Sequence, residues 1–277
     1  MDTSVYTDII VEVADGVGVI KFNRPKQLNS FGGNLVVDTI DALRKLNEHP
    51  DTYFTVITGE GRFFASGADV TNVSSKQKSF RHDGEKKVYW QQHIAIGTEL
   101  VRSLIEHKKV LVLAMNGPGV GAGASWFQGS SDIFYAAEDA WMQVTFSQLG
   151  LVPEAGSAIS WANSMGTHRA NDWLMFGGKA TAQEMHQMGL VNKIFPTKGF
   201  HEAVKDYLKE MLKDRSGKSM MEMKRLQNSS TRSARLLALF EATDALSERF
   251  VDGEPAVRMT AKMEELKKKR EGRASKI

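Results

Sequence analysis

Residues 151 to 157 read LVPEAGS, and Glu154 within them is a carboxylate set among apolar and small neighbours. A charge in such surroundings is costly unless it is paired or used. Two glycine-rich turns stand earlier in the chain, Ser66-Gly67-Ala68-Asp69 and Gly119-Val120-Gly121-Ala122-Gly123, each following an apolar run that reads as a buried strand. Glycine lets the backbone approach a ligand closely, and the N–H groups of a turn that opens a helix can hold negative charge. Two donor loops and one carboxylate on a third loop suit a paired oxyanion hole facing a single acid–base residue. Taken singly, each glycine turn fits an ordinary strand-to-helix connection. Glu154, taken singly, fits a carboxylate in the first turn of a helix starting near Pro153.

Other chemistries find little footing. There is no cysteine, hence no disulfide, thiolate nucleophile or cysteine-held metal. The histidines are scattered singly, no HExxH or P-loop occurs, and GVGAGAS lacks the third glycine of a dinucleotide fingerprint. No metal and no cofactor are expected. Lys and Arg number 36 against 33 Asp and Glu, a net +3 that describes a mixed surface and not a nucleic-acid footprint. The run KMEELKKKREGRASK concentrates basic residues, which reads as a solvated helix end or as attraction for a phosphate-bearing ligand. The start, MDTSVYTDII, has no secretory pattern, and no uncharged apolar run of about 18 residues is present to span a membrane. Ser275-Lys276-Ile277 differs from the peroxisomal address SKL by one branched aliphatic for another.

The elements that must carry these residues follow from periodicity. DIIVEVADGVGVIKF reads as a hairpin, 34–47 as an amphipathic helix and YFTVITG as a buried strand. Residues 71–85 are polar and aperiodic, a mobile loop, before a helix over 87–107 and the strand VLVLAMNG. DIFYAAEDAWMQV supplies a short strand pair, LVPEAGSAISWANSMG begins a helix, and ATAQEMHQMGLVNKIF gives helix, turn and strand. From 200 to 270 only helical patterns remain. The class is α/β, with a core domain over 1–198 holding the site and a helical region over 199–277.

FNRPKQLNSF, GRFFASGAD, VLAMNGPGVGAGAS, SQLGLVPEAGS and GLVNKIFP, in that order, resemble the crotonase superfamily, the enoyl-CoA hydratases and isomerases, across nearly the full length. The resemblance implies a spiral of ββα units with a helical C-terminal region. It also implies a thioester oxygen held by the N–H groups of Ala68 and Ala122. An acyl-CoA substrate is implied beside Lys26, Gln27 and Leu28, Ala65, Ser66, Gly67 and Asp69, Gly121 and Phe146, with CoA arriving as part of the substrate. Hydratases of the family use two carboxylates; their positions fall here at Ser125 or Trp126 and at Phe146, none of which ionises. Glu154 stands where isomerases of the family carry a single catalytic glutamate, so the resemblance implies conversion of 3-enoyl-CoA to trans-2-enoyl-CoA in fatty-acid β-oxidation. Dienoyl-CoA isomerisation, hydration in a secondary-metabolite pathway, or CoA binding without catalysis are the alternatives.

Further expectations follow from the likeness. Leu151, Val152, Phe146 and Trp126 should desolvate Glu154 and raise its pKa. Tyr89, Trp90, Ile94 and Ile96 suit the wall of an acyl pocket and equally suit ordinary core packing. A homotrimer or homohexamer is expected through the C-terminal helices, with ARLLALFEATDAL apolar enough for the contact or for covering the chain's own core. A peroxisomal location, with an import receptor reading Ser275, Lys276 and Ile277, completes the set.

Overall fold

The computed structural model describes residues 3–68 and 78–274. Asp69, residues 71–77 of the expected mobile loop, and Ser275, Lys276 and Ile277 lie outside the described residues.

Strands β1 (Ile9–Ala14) and β2 (Val17–Phe22) form the predicted antiparallel hairpin, turning at Asp15 and Gly16, both with positive φ. β3 (Phe54–Gly59) lies parallel to β2, and β4 (Val110–Met115) parallel to β3. Both β3 and β4 are buried along their whole length, as befits parallel strands covered on two faces. β6 (Ile133–Ala137) and β9 (Lys193–Phe195) complete a six-stranded sheet ordered β1-β2-β3-β4-β6-β9. A second sheet of β5 (Gly119–Val120), β7 (Trp141–Val144) and β8 (Gly178–Thr181) is ordered β5-β7-β8. The chain thus passes from large sheet to small and back, twice, which is the expected spiral.

One expectation about pairing is corrected. β6 and β7 do not pair with each other: β6 joins β4 and β9, while β7 joins β5 and β8. The Glu138-Asp139 segment between them is a sheet-to-sheet crossing. Alternation of apolar residues indicates two strands; it does not say which neighbour supplies the hydrogen bonds.

The helix Leu35–Glu48 buries Leu35, Val36, Thr39, Ala42, Leu43 and Leu46, one face at helical spacing. The helix expected over 87–107 runs Asp83–Ile105. Its earlier start has a local cause, since His82 Nδ1 accepts the Glu85 N–H at 3.2 Å and Asp83 and Glu85 sit at the positive end of the helix dipole. The C-terminal helices Phe200–Lys213, Gly217–Ser229, Arg232–Asp252 and Glu254–Ala274 match the predicted stretches closely. Helix Arg232–Asp252 packs along Asp83–Ile105, with Thr98 and Thr243 hydroxyls 2.9 Å apart.

What positions the site is the contact between the loops after β3 and β4. Asn116 ties the two strand ends, accepting the Gly59 N–H and donating to the Gly61 carbonyl, both at 2.9 Å. Ala65 and Gly119 then form a parallel bridge, with the Val120 N–H on the Ala65 carbonyl at 3.0 Å. A Cβ at Gly123 would lie 2.4 Å from that same carbonyl oxygen. Replacing Gly123 with Ala should therefore lower stability by about 1–3 kcal/mol, because main chain must shift to admit the methyl. Urea unfolding checks this; an unchanged midpoint would show that the loops are not held in register.

Candidate active site

Glu154 lies in a loop. The helix after it begins at Ser157, with Gly156 at its N-cap, and Glu154 lends it only a carbonyl that accepts the Ser157 N–H at 3.0 Å. The reading of Glu154 as a first-turn carboxylate of a helix from Pro153 is thereby overturned. Ala155 (φ 58°) and Gly156 (φ 70°) are both left-handed, and this reversal keeps the helix from reaching back to the glutamate. Holding a non-glycine residue there costs roughly 1–2 kcal/mol, and strain of this kind gathers where geometry matters for function. The loop is secured ahead of its turn: the Leu151 N–H donates to the Phe146 carbonyl at 2.7 Å, and Arg249 Nε donates to the Gly150 carbonyl at 3.0 Å.

The carboxylate itself has a single described side-chain partner. Trp126 Nε1 donates to Glu154 Oε2 at 3.1 Å. Around the pair is a narrow cleft lined by Ile94, Gly97 and Thr98 on one side and Leu239, Ala242, Thr243 and Leu246 on the other. Glu154 is half-buried as a whole residue, yet its carboxyl group sits deep enough that desolvation raises its pKa to about 7, an effect the Trp126 hydrogen bond only partly opposes. Of the residues expected to desolvate it, Trp126 lines the cleft and Phe146, Leu151 and Val152 do not.

The two donor loops meet main chain to main chain. Gly67 has φ 84°, and a Cβ on it would fall 2.6 Å from the Val120 carbonyl oxygen and 3.3 Å from the Ala122 nitrogen. Gly121 holds φ 55° and ψ −122° in open space, so its backbone conformation, and not crowding, calls for glycine. Among the described residues, neither the Ala68 nor the Ala122 N–H donates to a main-chain carbonyl. Ala122 begins the helix Ala122–Gln128, and Trp126 follows one turn later on the same face. The carboxylate partner and one candidate donor therefore share a helix.

The turn at Lys26, Gln27 and Leu28 is brought to the same place. The Ser66 N–H donates to the Leu28 carbonyl at 3.0 Å, and the Phe31 N–H to the Gly67 carbonyl at 2.8 Å. Lys26 and Gln27 are exposed beside Ala65, Ser66 and Gly67, whereas Phe146 is buried in the core. Of the helix residues proposed as an acyl wall, only Ile94 lines the cleft. Trp90 is taken by Phe250, stacked at 4.1 Å, Tyr89 packs on His93, and Ile96 is exposed. Among the described residues no group of three His, Cys, Asp or Glu is placed to hold a metal ion.

A family model described as enoyl-CoA hydratase/isomerase matches residues 12–270. The chain belongs to the enoyl-CoA hydratase/isomerase family. A rat relative named enoyl-CoA delta isomerase 2 is 35% identical over 205 residues, covering 74% of this chain and 50% of the rat protein. A mouse relative named enoyl-CoA delta isomerase 3, peroxisomal, is 33% identical over 202 residues, covering 73% and 61%. The chain thus spans about half to three-fifths of the length of these two relatives. A crystal structure of an enoyl-CoA hydratase/isomerase from Pseudoalteromonas atlantica superposes with a TM-score of 0.81 over 94% of this chain and 98% of that one, at 22% identity. That likeness concerns the fold.

Within this family frame, sequence reasoning missed the residues that do the holding. Asn29, fully buried at φ 53°, accepts the Arg24 N–H and donates to the Glu60 and Phe63 carbonyls, fixing the loop that leads to Ala68. Asn116 does the same for the second loop. Both stand in turn-rich stretches, NRPKQLNSF and NGPG, and Asn beside turn residues is a signal for side-chain bonding to nearby main chain. Trp126 is where the sequence places it, beside Glu154, but as a hydrogen-bond donor and not only as an apolar neighbour.

The raised pKa has a consequence for stability. Below the ordinary value of 4.5 the carboxyl is protonated in folded and unfolded chains alike; between 4.5 and about 7 the fold retains a proton that the unfolded chain has lost. Stability therefore falls through that window, and above it the full cost of the buried charge is felt. Glu154→Gln should be more stable than the parent by about 1–2 kcal/mol at pH 8, allowing for residual solvent access, with no gain near pH 4. Urea midpoints at the two pH values check the sign.

Proposed function

We propose that this family member moves the double bond of a 3-enoyl-CoA to the trans-2 position. Glu154 takes a proton from C2, the electron pair spreads over the thioester carbonyl and the C3–C4 unit, and the resulting dienolate oxygen is held by the Ala68 and Ala122 N–H groups. The same proton then returns to C4 from the same carboxyl, leaving the double bond between C2 and C3. Atoms and charge balance within one substrate, so the step asks for no oxidant or reductant, and CoA enters only with the acyl group.

The observation that carries this reading is a carboxylate in a cleft whose other lining residues are uncharged, with an indole as its partner and its pKa raised to about 7 by desolvation. A base that must both accept and return a proton works best when its two forms are comparably populated. Hydration would ask for a second group to hold and activate water, and Ser125, Trp126 and Phe146, where the hydratase carboxylates would fall, cannot ionise. The names of the rat and mouse relatives agree with isomerisation. Each N–H donor is expected to matter on the order of 10²-fold, because it meets charge that exists only in the enolate-like state.

Peroxisomal β-oxidation is the proposed setting, supported by the mouse relative's name and by the likeness of Ser275-Lys276-Ile277 to an import signal. Assembly as a homotrimer or homohexamer is proposed through the helix Arg232–Asp252, whose Leu237 and Phe240 are exposed. No helix among the described residues is long and apolar enough to cross a membrane.

Glu154→Gln should lower turnover of 3-enoyl-CoA by about 10²–10⁴-fold while acyl-CoA binding persists. Product analysis across 3-enoyl, 3,5-dienoyl and 2-enoyl thioesters supplies the check, and undiminished turnover in the variant would remove Glu154 as the base. Deleting Ser275–Ile277 should abolish peroxisomal import; unchanged import by fluorescence microscopy would remove the proposed address.

A further inference from the structure

The contacts of Trp126 extend past the carboxylate. Its ring stacks on Phe31 at 4.8 Å with an interplanar angle of 24°. On another side it meets Gly97, where a Cβ would come within 2.5 Å of the indole, so any side chain at 97 would displace it. Phe31 is in turn bridged to Ala68 and donates its N–H to the Gly67 carbonyl at 2.8 Å. An unbroken run of contacts therefore leads from the first oxyanion loop, through the Phe31 ring and the indole, to Glu154 Oε2.

We propose that Trp126 is a positioning residue for the Glu154 base: its N–H immobilises Oε2 so that Oε1 moves the proton, while the Phe31 stack sets this geometry against the Gly67–Ala68 loop. An indole has one donor and no acceptor, so it can hold one carboxylate oxygen and cannot compete for the proton in transit. It also cannot charge, and so it neither neutralises the base nor pulls its proton away. Trp126 keeps its hydrogen bond while the proton passes from C2 to Oε1 and from Oε1 to C4.

The groups facing Glu154 leave this bond little competition. From Asp83–Ile105 the cleft receives Ile94, Gly97 and Thr98, and from Arg232–Asp252 it receives Leu239, Thr243 and Leu246, none of them charged. No ionisable side chain of those helices lines the cleft; Asp244 and Glu248 pair with Lys87, Arg102 with Glu99, and Arg249 with Asp252. Thr98 and Thr243 are bonded to each other and to the Ile94 and Leu239 carbonyls.

The assignment rests on Glu154 being the base, and its test separates the two. Trp126→Phe keeps an aromatic ring for Phe31 and removes the N–H. Titrating the Glu154 carboxyl by ¹³C-glutamate infrared difference spectra, each read against the matching Glu154→Gln protein, needs no turnover. Loss of a bond to the charged form should move the midpoint above the parent value. With 3-enoyl-CoA, kcat near pH 7 should fall roughly tenfold, the acid limb of the kcat profile should shift the same way, and KM should stay within about twofold. An unmoved carboxyl midpoint overturns the assignment, as does a rise in KM with an unmoved acid limb, which is the mark of a merely structural ring. A moved midpoint in a protein whose parent converts no 3-enoyl-CoA would instead uphold the Trp126–Glu154 link and reject the isomerase reading. Should Trp126→Phe fail to fold, benzothienylalanine at 126, which replaces the ring N–H by sulfur at nearly constant shape, gives the same decision.

Discussion

The site depends on keeping a carboxylate away from water without giving it a counter-charge. Desolvation pushes Glu154 towards the neutral acid, and a cation placed beside it would reverse that push and make it a poor proton acceptor. Trp126 offers a middle course, one neutral hydrogen bond that offsets part of the cost of ionisation. The cleft walls maintain the balance with aliphatic groups and two threonines already satisfied by one another. The raised pKa thus comes from what is withheld from the glutamate as much as from what touches it.

A second constraint, close approach of main chain to main chain, places the donors. Gly67 against Val120 and Ala122, and Gly123 against Ala65, leave no room for a β-carbon on either side. The loops after two adjacent parallel strands are thereby held main chain to main chain, which longer side chains would prevent. Asn29 and Asn116 substitute for regular secondary structure here, bonding carbonyls and N–H groups that neither strand nor helix accounts for. Rigidity at the donors is therefore a property of the backbone and its two buried amides.

Much of this could be read from the chain because periodicity and glycine placement are local signals. FTVITG and VLVLAM are buried strands in pattern and in fact, the C-terminal helices fall where their spacing puts them, and the glycine turns flank each other. What could not be read was tertiary. The strand pair around Glu138 splits between two sheets because hydrogen-bond partners lie far away in sequence. Glu154 looks like a helix start because Pro153 and small residues follow the usual pattern, and only the left-handed Ala155 shows that the helix waits until Ser157. An alanine there carries no conformational signature, whereas a glycine would have.

The division of the chain at 198 into a core holding the site and a helical appendage also takes a different shape in three dimensions. Leu239, Ala242, Thr243 and Leu246 form one wall of the cleft, and Arg249 holds the Gly150 carbonyl at the base of the Glu154 loop. Residues contributed nearly a hundred positions after the glutamate thus exclude water from it. Until that helix docks along Asp83–Ile105, the carboxylate would lie open on one side and its pKa would relax towards the ordinary range. The desolvated environment of Glu154 is a product of the completed fold, so the helix Arg232–Asp252 is as necessary to it as the loops that name the family.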